Sequence, residues 1–176
     1  YYTMNFNGYT AEMLSKDERL IAEEWKRELA LKSSVEEIRS YFFGGLTPEK
    51  LNAHPFKKEI DQNARLKAFL GFAKVCEFNI SYLDPWSDKD FIERQNMLPK
   101  LITEGEKLIK EEKSQFWKKK YAFQLLRLTF YNNEPEKFFF YYKTWFGAGK
   151  EKTTIDWWAT HYYSEWVTQK AIGMKA

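Results

Sequence analysis

A chain of 176 residues with 28 lysines and arginines against 25 aspartates and glutamates is long enough for one hydrophobic core and carries a net charge of only +3. A domain of this length buries roughly two thirds of the surface its unfolded chain exposes, so it needs no cross-links. The near-balance of charge excludes a dedicated nucleic-acid binder, which concentrates an excess of cations on one face.

The single cysteine, Cys76, excludes an internal disulfide, and the apolar runs of a few residues fall well short of the ~20 that a membrane-spanning helix needs. Composition is more telling in its aromatics, at 19% Phe, Trp and Tyr, with few glycines and prolines to interrupt helices. Between residues 100 and 152 there are twelve lysines and arginines against seven carboxylates. The densest run, Lys118-Lys119-Lys120, reads as a solvated helix shoulder rather than a phosphate-binding strip. The first residues, Tyr1-Tyr2-Thr3, include no initiator methionine, so an excerpt or processed form is expected, from which a signal peptide could have been removed.

Strand signals are nearly absent, and helix starts and stops recur at hairpin intervals. Ser15 with Glu18 forms a capping-box pattern that is expected to start the first helix, with Leu14, Ile21, Trp25 and Leu29 along its buried stripe. Ser34 and Glu37 repeat the device for a second helix through Val35, Ile38, Tyr41 and Phe42, which Gly44-Gly45 should end in a left-handed cap. These two helices make a first hairpin over 15–45. Thr47-Pro48-Glu49 starts a brief connector that Pro55 stops after His54.

From Phe56 to Leu83 the apolar residues occupy more than one face, as expected of a central helix. Asp84-Pro85-Trp86 should break it, with Ser87 and Asp90 capping a next helix that turns Phe91, Leu98, Ile102 and Ile109 inward and is kinked or restarted at Pro99. These central helices cover 56–112. A third group, 114–173, comprises a helix from Ser114, an Asn132-Asn133 break, a helix led by Pro135, a Gly147-Ala148-Gly149 stop and a final helix from about Thr154.

Within that group, Ala122-Phe123-Gln124-Leu125-Leu126-Arg127-Leu128-Thr129-Phe130-Tyr131, followed by Glu136-Lys137-Phe138-Phe139-Phe140-Tyr141-Tyr142, resembles helices A and B of a tetratricopeptide unit over about Tyr121 to Phe146. Arg127 stands where that pattern has a mid-helix glycine, Phe138 stands where helix B opens on a small residue, and the turn is one residue short. The starts and stops give an all-α fold of five to seven helices, the length fits one domain over 1–176, and the resemblance implies stacked antiparallel hairpins in a TPR-like right-handed superhelix. A looser similarity, over Glu24-Trp25 to Tyr41 and the run from Tyr121 to Arg127, is to large exported bacterial helical proteins, and it implies a periplasmic or cell-surface fragment.

Candidate chemistry is sparse. The soft donors are His54, His161 and Cys76, too few for a metal centre. His161 and Glu165 lie one helical turn apart and read as a surface hydrogen-bonded pair in preference to a metal seat. Cys76 lies among Phe72, Ala73, Val75 and Ile80 and reads as core. The adjacent carboxylates Glu23-Glu24, Glu36-Glu37 and Glu111-Glu112 point to different azimuths, unlike a glycosidase pair facing across a cleft. Gly147-Ala148-Gly149-Lys150 lacks the preceding strand of a phosphate cradle. No catalytic residue, metal or cofactor is expected.

The final helix spreads Trp157, Trp158, His161, Tyr162, Tyr163 and Trp166 around most of its circumference. Trp158, Tyr162 and Trp166 share a side with Ile155 and Ala159, while Trp157 and His161 project elsewhere. Aromatics left exposed there anchor partners or stack on sugar rings, or else mark the cut end of a longer superhelix. The expectation is a non-enzymatic scaffold binding a protein or peptide through Arg127, Trp145, Trp157, His161 and Trp166. The alternative is a cell-envelope module binding carbohydrate through exposed tryptophans.

Overall fold

The computed structural model describes residues 6, 8–81, 88–147 and 152–175, and among these every regular element is a helix. The order is α1 (Ala11–Glu28), α2 (Val35–Phe43), α3 (Pro48–Asn52), α4 (Lys57–Asp61), α5 (Ala64–Ser81), α6 (Asp88–Glu111), α7 (Gln115–Tyr131), α8 (Pro135–Tyr141), a π-helical turn (Tyr142–Phe146) and α9 (Thr154–Lys175). The fold is all-α. Two compact units divide it, Tyr1–Glu77 and Phe78–Ala176.

In the first unit α1 starts five residues earlier than the Ser15 pattern implies. Thr10 is the cap, its hydroxyl accepting from the Met13 N–H, and Ser15 lies inside the helix, where its hydroxyl accepts from Arg39 instead. Two oxygens competed for one role, and the cap fell to the one preceding the whole apolar stripe. Ser34 and Glu37 do form a reciprocal capping box at α2. The cap at the end of α2 is as expected, with Gly44 at φ −76° and Gly45 in the left-handed region at φ 59°.

Helix α1 ends in a Schellman motif. The Leu31 N–H reaches back to Lys26 O at 3.0 Å, with Ala30 at φ 49° where glycine would be unstrained. The Lys26 ammonium donates to Leu31 O and Ser33 O, and the Glu59 carboxylate accepts from the Lys32 and Ser33 N–H groups, tying α4 to this loop. Burial raises the Glu59 pKa, but those two N–H donors and the Lys26 charge outweigh it and hold the carboxyl below its usual range.

The core of this unit centres on Trp25, whose ring centroid is 5.4 Å from both Phe42 and Phe69, all three buried. The apolar run from Phe56 is not one helix. It breaks at Gln62-Asn63, where the Asn63 side-chain Oδ1 accepts from the Leu66 N–H and so caps α5. This break and the short α3 and α4 bring the helices among the described residues to nine, against the five to seven expected. Nor is the run buried all round, because Val75 and Phe78 are 43% and 52% exposed while Cys76 is fully buried.

In the second unit α6 passes through Pro99 without restarting, and Leu98 and Ile102 are buried as expected. The Asp84-Pro85-Trp86 break and the Ser87 cap lie outside the described residues. Helix α7 is the centre of the unit, packed by α6, α8, the π-helical turn and α9. Ser114 caps its start and Asn132 and Asn133 end it, with Asn133 at φ 54° and the Glu134 N–H on Thr129 O at 3.0 Å, a second Schellman motif. Pro135 then opens α8 at its first turn, and helical bonding stops at Phe146.

Candidate functional site

Helix α7 is buried on every side from Lys120 to Thr129, including the polar Lys120, Gln124, Arg127 and Thr129, so Lys120 does not belong to the solvated shoulder expected of the lysine triplet. The Thr129 hydroxyl donates back to Leu125 O at 2.8 Å. Arg127 is fully buried and its Nε–H donates to the Tyr162 hydroxyl of α9 at 3.1 Å. On α8, Phe138 stacks on Trp166 with centroids 5.0 Å apart and planes 18° apart. The two large residues standing where a tetratricopeptide pattern has small ones are therefore both spent on α9.

The expected division of α9 is what the fold contains. Ile155, Trp158, Ala159, Tyr162 and Trp166 are buried, the three aromatic rings among them packing on Phe123, Phe130 and Phe138, and Trp157 is 53% exposed with the Lys152 ammonium 4.7 Å from its ring centroid. The start of α9 is locked by Asp156, whose carboxylate accepts from Lys119 Nζ at 2.7 Å and from the Thr153 N–H and hydroxyl.

The five residues singled out from sequence do not converge. Arg127 and Trp166 belong to the packed α7–α9 boundary, and Trp166 is only 5% exposed. Trp157 lies nine residues from Trp166, about 180° around a 3.6-residue helix, with half-buried His161 on its side. Trp145 is half-buried in the π-helical turn.

What the fold does assemble is an open groove of about 510 Å³ where the end of α7 and the Asn133 turn meet α9, lined by Phe130, Tyr131, Asn133, Glu165, Trp166 and Gln169. The Phe130 ring stands edge-on to Tyr131 and to Trp166, at centroid distances of 5.2 and 5.6 Å. Glu165 Oε1 accepts from Gln169 Nε2 at 3.5 Å, one turn along α9. Burial raises the Glu165 pKa above the ordinary carboxylate value. The Tyr131 phenol is pushed far up, first by burial and then by Tyr162, with Arg127 opposing. Outside the groove, burial and then the Glu106 charge raise Tyr141 to about 12.

Of these lining residues only Trp166 was singled out as a binder from sequence, and Glu165 was noted only beside His161. Phe130, Tyr131 and Asn133 were noted only for the helix pair and its break, and nothing in the local pattern marks Gln169, thirty-six residues beyond Asn133. Among the described residues no three His, Cys, Asp or Glu side chains come together as a metal site, and no helix is long and apolar enough to cross a membrane. Compared with family models, curated proteins and solved structures, the chain matches none.

Proposed function

We propose that this protein is a non-enzymatic helical scaffold that binds a protein or peptide partner, with the α7–α8 pair as a tetratricopeptide-like unit of a right-handed superhelix. The observation that carries the reading is the groove between the α7 terminus and α9. It has the size of a side-chain pocket, aromatic walls, and polar groups at its rim, the composition that peptide-recognition sites use. Among the described residues its lining has one carboxylate and no second carboxylate, histidine or lysine, which suits binding better than proton transfer.

The test is a peptide-display selection on the immobilised chain, repeated with Gln169→Trp, which fills the groove from an exposed helix position. Recovered peptides should bind the parent and lose affinity for Gln169→Trp. Peptides that keep binding to Gln169→Trp but are lost with Trp157→Ala would move the site to the opposite face of α9. A chain that selects no peptide refutes the scaffold reading.

One observation favours a second reading, a cell-envelope module for carbohydrate. The Asn133 and Gln169 amides and the Glu165 carboxylate beside aromatic rings can serve sugar hydroxyls, and Trp157 offers an exposed ring. Tryptophan fluorescence titrated with a glycan panel separates the two: saturable shifts with glycans and silence with peptides would select it.

A further inference from the structure

Resting on the peptide reading, we infer that the groove is a subsite for a lysine or arginine side chain of the partner peptide, held by the Glu165 carboxylate beside the Phe130 and Tyr131 rings. Among the described residues, Glu165 is the one charged residue lining the groove. Among the described residues no lysine or arginine pairs with it, and its neighbour is the neutral Gln169 amide at 3.5 Å.

Glu165 is an exposed residue as a whole, yet the groove walls crowd its carboxyl enough that burial raises its pKa, and among the described residues no counter-charge offsets this. An incoming cation would compensate that desolvation, whereas a neutral ligand would deepen it. This asymmetry separates a basic side chain from a saccharide.

Two further features have the same sign. The groove lies at the C-terminal end of α7, where the aligned peptide dipoles leave partial negative charge. Half-buried aromatic rings attract cations through their faces, and the second unit already uses the contact, as with Arg94 4.2 Å from the Phe78 centroid and Lys152 over Trp157. Arg127, on α7, is fully buried, and its Nε–H is directed at Tyr162. The chain's net charge of +3 offers no long-range steering, so recognition of the cation is local to the groove.

The experiment uses a positional-scanning pentapeptide library with fixed Lys, Arg, norleucine or citrulline at each position, read by isothermal titration of the best sequences. Lys or Arg at one position should bind about tenfold tighter than its neutral isostere, as a charge-assisted contact in a partly desolvated site provides. That preference should vanish in Glu165→Gln and persist in Glu136→Gln, which alters an exposed glutamate on α8. Glu165→Gln is a near-isosteric change at an exposed helix position, so it should fold, which its thermal transition verifies. Peptide binding without a cation preference, or a preference that survives Glu165→Gln, overturns this inference and leaves the scaffold reading standing. Failure of every peptide overturns both.

Discussion

The Nε–H of Arg127 donates to the Tyr162 hydroxyl at 3.1 Å, joining α7 to α9 through a guanidinium that has no access to solvent. A hydrogen bond to a buried charge is worth more than a neutral one, and losing its acceptor leaves the charge under-solvated. Tyr162→Phe should therefore lower the free energy of unfolding by about 1.5–3 kcal/mol, measured by urea denaturation. A loss below a few tenths would mean that this bond contributes nothing to holding α9.

Gln124 presents the opposite case on the same helix. It is fully buried, and neither amide atom has a hydrogen-bond partner among the described residues. An unsatisfied buried amide costs about 1–3 kcal/mol, so Gln124→Met, of similar length and shape, should raise stability by about 1 kcal/mol or more. Destabilisation would reveal a partner for the amide, such as a buried water.

Ala30 occupies the left-handed position of the α1 Schellman motif at φ 49°, where its Cβ is strained. Ala30→Gly should gain about 0.5–1 kcal/mol, the relief of left-handed strain less the added freedom of the unfolded chain. The thermal midpoint should rise by a few degrees on that scale.

His54 links pH to the stability of the first unit. Its Nδ1 accepts from the Phe56 N–H at 3.1 Å, and its Nε2 lies 2.9 Å from the Ser40 hydroxyl oxygen, whose own proton goes to Glu37 O. That network requires the neutral ring with its proton on Nε2. Burial lowers the His54 pKa, with the Glu37 charge opposing. Because the folded value lies below the unfolded one, the unfolded chain takes up the proton first. Stability should be level above the unfolded value of about 6.5 and fall as pH drops through the folded value. Denaturation midpoints between pH 8 and 5 check this, and a flat profile in His54→Gln assigns it.

The Trp25–Phe42–Phe69 cluster predicts a contrast along α5. Phe69→Ala, at a fully buried ring, should cost about 3–5 kcal/mol. Val75→Ala, 43% exposed on the same helix, should stay within about 0.5 kcal/mol. Similar losses at both would mean that Val75 is covered in solution.

The sequence by itself determined the class of fold and most of the helix ends, because a cap is settled within a few residues: Ser34 with Glu37, Thr47 before Pro48, Ser114, and Pro135 after the asparagine pair all act where they were expected. It also determined which arc of α9 is buried, since a 3.6-residue period places Trp158, Tyr162 and Trp166 together. Competition between equivalent local signals was not legible, so Thr10 rather than Ser15 opens α1 and Asn63 divides the apolar run. Only the tertiary structure decided what Arg127 and Trp166 do, which is to pack α7 and α8 on α9, and where a groove opens. Tyr131 and Glu165 come together across thirty-four residues of chain because burying α7 on all sides brings its C-terminal end against α9, a consequence of packing that no local spacing records.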